Sequence, residues 1–268
     1  MIWAPESVGN QIVNIGDQVT SFGLDPDESH IGANRYFQKT YKGNWLNGKM
    51  EGLGKYTLSE GEFYYGHFKN NIPNGHGIRK FANGDLYDGQ YVDGYQTGTG
   101  MFICQEQGWK YEGEWVMGRM TGQGDCQWRD GTMYSGMWKN CAKEGHGTLT
   151  YADGSQVECG FVNEYPEGRG VKNFPDGSIY KGNFKQGLFH GYGKYRQPLD
   201  GSEYVGNWVK NEMRGQGTKK LKYGAIEITG NFGSGQEVNG KGLKKWRKLV
   251  KGSGVRTAKQ YEYYIYRG

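Results

Sequence analysis

The stretch Asp130–Gly154, "DGTMYSGMWKNCAKEGHGTLTYADG", closes on the same Asp-Gly with which it opens. Its central pattern, Tyr-x-Gly-x-Trp/Phe, returns along the chain as "YKGNW" at Tyr41, "YYGHF" at Tyr64, "YDGQY" at Tyr87, "YEGEW" at Tyr111 and "YSGMW" at Tyr134. It continues as "VECGF" at Val157, "YKGNF" at Tyr180, "YVGNW" at Tyr204 and "ITGNF" at Ile228, in steps of 23 or 24 residues. A Gly-x-Gly follows each start by 11 residues in eight copies and by 12 in the ninth, from Gly52 and Gly54 to Gly240 and Gly242. Two motifs held in phase over nine copies define a repeat array at residues 41–242, and periods of this length signal stacked supersecondary units.

Local chemistry suggests what one copy folds into. The breaks Asn83-Gly84, Asp130-Gly131, Asp153-Gly154, Asp176-Gly177 and Asp200-Gly201 separate short apolar-alternating runs. Asp-Gly and Asn-Gly are favoured centres of type I′ turns, so these breaks predict two-residue hairpin turns. Segments such as "KNCAKEG" then serve as the connections between hairpins. Period-two alternation places Tyr134, Gly136 and Trp138 on one face, together with Gly145, Gly147, Leu149 and Tyr151 of the companion strand. The fourth position after the second glycine forms a column reading Leu58, Phe81, Cys104, Trp128, Tyr151, Phe174, Gln197, Leu221 and Trp246. Rings are expected to lean over the glycines, where no Cβ obstructs them, which accounts for glycine in a strand that it weakens. The prediction is an all-β chain: an elongated single-layer antiparallel sheet of about nine tandem hairpins, roughly 85 Å long at a strand spacing of about 4.8 Å.

Composition agrees. The 268 residues include 48 Gly, 21 Tyr and 8 Trp, and only 35% are hydrophobic. Aromatics suit pleated surfaces and glycine disfavours helix, while disordered chains are poor in rings. Charge is unevenly placed. Residues 1–40 carry two basic and five acidic side chains, residues 41–240 balance, and residues 241–268 carry nine basic and one acidic. The four cysteines, Cys104, Cys126, Cys141 and Cys159, show no metal-like spacing and read as reduced thiols. No signal-peptide pattern or long apolar run is present, so a soluble, intracellular protein is expected.

The phased motif resembles the MORN repeat (membrane occupation and recognition nexus), whose signature Tyr-x-Gly-x-Trp-x-x-Gly-x-x-x-Gly-x-Gly stands as "YKGNWLNGKMEGLG" from Tyr41 and "YEGEWVMGRMTGQG" from Tyr111. The sixth copy departs, with Val157 for Tyr and Cys159 for Gly, and the ninth has Ile228 for Tyr. The resemblance implies a scaffold, as in radial spoke heads of cilia, junctophilins and parasite cytoskeletal proteins. Where MORN arrays are fused to enzymes, a separate catalytic domain is present, and with only 40 residues before the array and 26 after it none is expected here.

Catalytic chemistry is not expected. The Gly-x-Gly pairs lack the Lys-Ser/Thr of a P-loop and the third glycine of a dinucleotide fingerprint, and the five histidines have no ligand spacing. No catalytic residue, metal or cofactor is therefore assigned. Protein binding is assigned to the aromatic face: Phe81, Trp128, Tyr151, Phe174, Trp115 and Trp138. Residues 1–40 read as an acidic N-terminal cap or an arm along a partner. Residues 243–268 read as a basic, Tyr-rich closing segment in which Lys244, Lys245, Trp246, Arg247, Lys248 and Lys251 cluster. That cluster suits either attachment to an anionic surface or protection of an open sheet edge. The strand-like "YEYYIYRG", aromatic on both faces, would dock on another subunit or over the array. The leading expectation is a non-enzymatic scaffold of a cytoskeletal assembly, the ciliary axoneme first, with protein partners, self-association and no nucleic acid. The alternative is a peripheral membrane tether that binds anionic lipid through the basic segment.

Overall fold

The computed structural model describes residues 20–21, 39–221, 223–233, 236–237, 243–246 and 262–265. The chain forms two compact units, residues 1–106 and 107–268. Both are antiparallel β-meanders, and the described residues contain no helix.

The first unit holds β1 (Thr20–Ser21), β2 (Thr40–Leu46), β3 (Lys49–Ser59), β4 (Glu62–Lys69), β5 (Ile72–Lys80), β6 (Leu86–Val92) and β7 (Tyr95–Cys104). Each strand pairs antiparallel with the next. The second holds β8 (Trp109–Val116), β9 (Arg119–Gln127), β10 (Met133–Lys139), β11 (Ala142–Thr150), β12 (Gln156–Val162) and β13 (Tyr165–Asn173). It continues with β14 (Ile179–Lys185), β15 (Leu188–Arg196), β16 (Glu203–Val209), β17 (Glu212–Leu221) and β18 (Ile226–Gly233). The short strands β19 (Gln236–Glu237) and β20 (Leu243–Trp246) both pair with β18, and β21 (Glu262–Ile265) pairs with β20.

The tight turns differ from the expected assignment. Two consecutive residues with positive φ occur inside each of the first eight signatures, at Asn47-Gly48, Asn70-Asn71, Asp93-Gly94, Met117-Gly118, Asn140-Cys141, Asn163-Glu164, Gln186-Gly187 and Lys210-Asn211. These are the type I′ turns. At the Asp-Gly breaks only the glycine is left-handed, as at Gly131 with φ 90°. There the Gly131 N–H donates to the Trp128 carbonyl and the Trp128 N–H to the Thr132 carbonyl, closing a type I turn with a glycine bulge. Asp130 is selected by its side chain, whose Oδ1 accepts the Thr132 N–H at 2.9 Å. Asp153, Asp176 and Asp200 do the same for Ser155, Ser178 and Ser202, each at 2.8 Å.

The two glycines of Gly-x-Gly also have different causes. Within each hairpin the register slips, as between Gly136↔Gly147 and Trp138↔Lys143, so β11 carries extra residues at a bulge. The first glycine sits in that bulge with positive φ, 77° at Gly145, and is not part of the regular alternation expected of it. The second glycine is flat and lies beneath the tyrosine ring: a Cβ on Gly147 would fall 2.6 Å from the Tyr134 Cζ. Gly136 is covered by the same ring, with Oη 2.7 Å from where its Cβ would be. The ring over the glycines is thus the first residue of the signature, not the column four residues past them.

The seven signature tyrosines, Tyr41, Tyr64, Tyr87, Tyr111, Tyr134, Tyr180 and Tyr204, are at most 3% exposed. Each meets the fifth residue of its own copy edge-to-face, and many also meet that of the next. Tyr134 lies 5.3 Å from Trp138 and 5.0 Å from Phe161, and Tyr204 lies 5.2 Å from Trp208 and 5.1 Å from Phe232. Such contacts contribute about 0.5–1.5 kcal/mol each beyond the area buried. The hydroxyl explains why the ring is not phenylalanine. Tyr134 donates to the Met137 carbonyl at 3.0 Å and Tyr180 to that of Asn183 at 2.9 Å, satisfying a backbone acceptor at the bulge. Burial pushes these phenols up, to about 12 at Tyr64 and Tyr180.

Adjacent copies are also joined by polar bonds at the tight turns. The Asn71 N–H donates to the Met50 carbonyl while Asn71 Oδ1 accepts the Met50 N–H at 2.7 Å. Asn211 repeats this with Phe189, and Glu164 with Lys143. Glu51, Glu144 and Glu167 accept the first turn N–H of the following copy, from Asn70, Asn163 and Gln186. The indole N–H of Trp138 reaches back to the Gly124 carbonyl at 3.0 Å and that of Trp208 to Gly193 at 3.2 Å. Trp45 begins the array, and its buried Nε1 has no partner among the described residues.

Copy six shows how the pattern can be rewritten. Val157 and Cys159 are each 1% exposed, and Cys159 fills the space a tyrosine ring would take above Gly170. Its thiol donates to the Gly160 carbonyl at 3.1 Å, the bulge acceptor that a tyrosine hydroxyl serves elsewhere.

Candidate protein-binding face

The six aromatic residues assigned to the binding face separate into two groups. Trp115 and Trp138 are 5% and 4% exposed and belong to the ring stack. Their assignment as contact residues is corrected: Trp138 is held edge-to-face between Tyr134 of its own copy and Tyr111 of the preceding one, and Trp115 packs edge-to-face on Tyr111, so both rings are core. Phe81, Trp128, Tyr151 and Phe174 are half-buried. They stand at the edge of the stack because each is the first residue of an Asp-Gly or Asn-Gly loop, whose backbone hydrogen bonds fix it at the strand end.

In the second unit, Trp128, Tyr151 and Phe174 occupy three consecutive loops. Lysines lie over them. Lys143 Nζ is 4.9 Å from the Trp128 ring centre, with Tyr134 and Trp138 at 5.7 and 5.8 Å. Lys172 Nζ is 4.9 Å from Tyr151 and 5.0 Å from Phe174. Lys143 is buried and its ammonium is paired with the Glu164 carboxylate. Lys172 has a pKa lowered by burial, partly offset by Asp153. Beside the pair, Trp128, Leu149, Tyr151, Tyr165 and Pro166 line a shallow cleft of about 280 Å³. Tyr165 is 57% exposed, so the cleft has an apolar rim open to solvent. The arrangement offers ring edges, an apolar notch and a cation–carboxylate pair, which together can hold an apolar side chain with a polar flank.

In the first unit Phe81 has a comparable setting: the Arg79 guanidinium lies 4.6 Å from its ring and pairs with Glu62 at 3.1 Å. The cations packed on these rings were not foreseen from the sequence, although their spacing was visible: Arg79 and Lys172 both stand two residues after a second glycine. Of the anionic-surface cluster, Lys244, Lys245 and Trp246 lie in β20, where only the backbone is described, and Arg247, Lys248 and Lys251 lie outside the described residues.

Comparison with known proteins agrees with this repeat geometry. The MORN repeat family matches residues 41–63, 64–86, 87–108, 111–133, 134–156, 160–179, 180–198 and 204–221. Alsin of Rattus norvegicus is 34% identical over 89 residues, 31% of this chain and 5% of that protein. Alsin of Homo sapiens is 35% identical over 80 residues, 28% of this chain and 5% of that protein. The chain therefore spans about 5% of the length of these curated relatives. Among solved structures, the TCP domain of SAS-4 from Drosophila melanogaster, in complex with a proline-rich motif of Ana2, aligns over 69% of this chain and 99% of its own. The TM-score there is 0.38 at 11% identity, too low to bear on fold or function. Every matched copy but the sixth starts on a buried ring-stack tyrosine, and the matches run from residue 41 to residue 221; the chain belongs to the MORN-repeat proteins.

Proposed function

We propose that this chain is a non-enzymatic scaffold that holds protein partners on the half-buried rings at the loop ends of its repeats, in a cytoskeletal assembly of the ciliary axoneme such as a radial spoke head. MORN repeats are non-catalytic modules that serve as binding scaffolds for proteins or membranes. The observation that carries the protein-binding reading is the row Trp128, Tyr151, Phe174. Three large rings stand half-exposed in successive loops beside an apolar cleft, whereas the signature rings are sealed in the core. Extended apolar surface rimmed by charge marks a protein contact. Rigidity supports the role, since rings fixed by the backbone bonds of their loops lose little freedom on binding.

The test uses a fluorescent fusion in a ciliated cell, followed by detergent extraction. The wild-type chain is expected to stay with the microtubules, and a chain carrying Trp128→Ala and Tyr151→Ala is expected to pass into the soluble fraction. Both substitutions fall on half-buried rings outside the ring stack, and circular dichroism checks that the variant is folded. Retention of the folded variant would remove the ring row as the site. Loss of the wild type with the lipid would replace the axonemal scaffold by a membrane tether.

A further inference from the structure

The face of the second unit opposite the ring stack carries one unbroken cross-strand row. Register pairs Glu112 with Asp125, Asp125 with Ser135, Ser135 with Thr148 and Thr148 with Glu158. It goes on to pair Glu158 with Val171, Val171 with Lys181 and Lys181 with Lys194. The eight residues therefore stand at one height on β8 to β15, in order. Charge is sorted along the row. Two carboxylates face each other across strands at one end, and two ammonium groups do so at the other. Like charges directly opposite destabilise a strand pair, so both ends cost stability within the protomer.

All five charged residues of the row, Glu112, Asp125, Glu158, Lys181 and Lys194, are exposed. Glu112 has Lys110 at 3.2 Å, a solvent-exposed pair of modest worth, and Lys194 has the half-buried Glu203 at 2.7 Å. Asp125 and Lys181 have no ion pair among the described residues. Arg169 adds to the basic end, where it rims, with Lys181 and Lys194, an open hollow of about 770 Å³ over Gly170, Gly182 and Gly193. Between the ends the surface carries Ser135, Thr148, Glu158, Val171 and the exposed Met133 and Met137, and under the axis proposed below Glu158 faces the partner's Thr148.

We propose that this face docks a second copy of the chain, face to face, about a two-fold axis that runs parallel to the strands between β11 and β12. Such an axis keeps height along the strand and reverses strand order. It sets β8 against the partner's β15 and β9 against the partner's β14. Glu112 then faces the partner's Lys194 and Asp125 faces the partner's Lys181, and the symmetry repeats both pairings. Two like-charge clusters that destabilise one protomer become four opposite-charge pairings in the dimer. Lys110 and Arg196 also meet, but each has a carboxylate of its own beside it, Glu112 and Glu203. An axis across the strands would bring each carboxylate onto its own copy, so charge selects the orientation. Eight strands spaced about 4.8 Å apart, with about 20 Å of each in contact, cover about 800 Å² per protomer, the size of a standard stable interface.

The experiment is sedimentation velocity on the full chain at low and high salt, with circular dichroism as the check on folding. One variant carries Glu112→Lys and Asp125→Lys, so that both ends are basic; the other carries Lys181→Glu and Lys194→Glu, so that both are acidic. The wild type is expected to dimerise, less tightly as salt rises. Each variant alone should self-associate at least about a hundredfold more weakly, because like ends now meet. An equimolar mixture should form the heterodimer, and a chain with all four substitutions should regain the homodimer. A wild type that stays monomeric at its highest soluble concentration, or two folded variants that fail to associate when mixed, would overturn the proposal. Dimerisation unchanged in the single-end variants would place the interface elsewhere and overturn it equally.

Discussion

Restoring the common pattern in copy six tests the packing argument in both directions. In the seven copies that begin with tyrosine its hydroxyl occupies the space where a Cβ on the third residue would lie, 2.7 Å away at Gly136. Val157→Tyr alone would drive its ring into Cys159, and overpacking of this kind costs about 1–3 kcal/mol. Cys159→Gly alone would remove a fully buried side chain, leave the Gly160 carbonyl without its thiol donor and place glycine in a strand. These losses together amount to about 2–3 kcal/mol. The double variant should do neither. Its tyrosine gains edge-to-face contact with Phe161 and Phe184, about 0.5–1.5 kcal/mol each, and a hydroxyl bond of about 1 kcal/mol to Gly160. The pair should therefore be at least as stable as wild type, with a favourable coupling of about 4 kcal/mol. Urea unfolding followed by tryptophan fluorescence gives the cycle, and amide exchange in β12 and β13 gives the local readout. Simple additivity, with the double variant about 4 kcal/mol below wild type, would refute the account of why Val157 and Cys159 occur together.

Three other outcomes are expected. Tyr134→Phe should cost about 1 kcal/mol in urea unfolding, because the Met137 carbonyl loses its buried donor. Native-state alkylation at pH 8 should label Cys141, the exposed thiol, while Cys126 and Cys159 stay silent until the chain is denatured, since burial raises them to about 12 and about 11. Asp153, Asp176 and Asp200 are held below the ordinary carboxylate range, first by the neighbouring serine hydroxyls and then by the serine N–H groups. Their stabilisation is therefore full above the unfolded carboxylate pKa of about 3.9 and is lost as pH falls through the lower folded values. Thermal melts of a triple Asp→Asn variant should accordingly lose less stability on acidification than wild type; an unchanged acid slope would show that these loops do not report pH.

Much of the architecture can be read from spacing alone. Tyr-x-Gly-x-Trp in phase with Gly-x-Gly specifies strands, hairpins and a ring-bearing face, because few other folds need a glycine beneath every tyrosine. The turns are misleading for a physical reason. Asp-Gly suits a two-residue I′ turn and a glycine-bulge loop equally well, whereas Asn140-Cys141 and Lys210-Asn211 carry no glycine to mark the place where two left-handed residues occur. Burial of Trp115 and Trp138 escaped a reading based on alternation, since alternation assigns a face but does not say whether the next copy covers it. The packed cations Lys143 and Lys172 were hidden for a related reason. Lysine is normally a solvated residue, and only the register shows Lys143 meeting the next copy's Glu164 carboxylate and Lys172 lying over the preceding copy's Tyr151 ring.

The side-to-side bonds at the I′ turns bear on where the chain tolerates added length. From the first residue of a signature to its Gly-x-Gly the count is constant at 11 in every copy with described glycines, and the longer steps after Tyr87, Tyr180 and Tyr204 place their extra residue beyond that point, towards the Asp-Gly side of the hairpin, as in the loops Cys104–Trp109 and Gln197–Ser202. A turn gripped by its neighbour cannot lengthen without breaking a second copy's bonds; an Asp-Gly loop closes on itself and can. The two long borders of each unit's meander are therefore unlike: one behaves as a stitched seam, and the other is a free margin on which evolution, or an engineer grafting a new segment, can write.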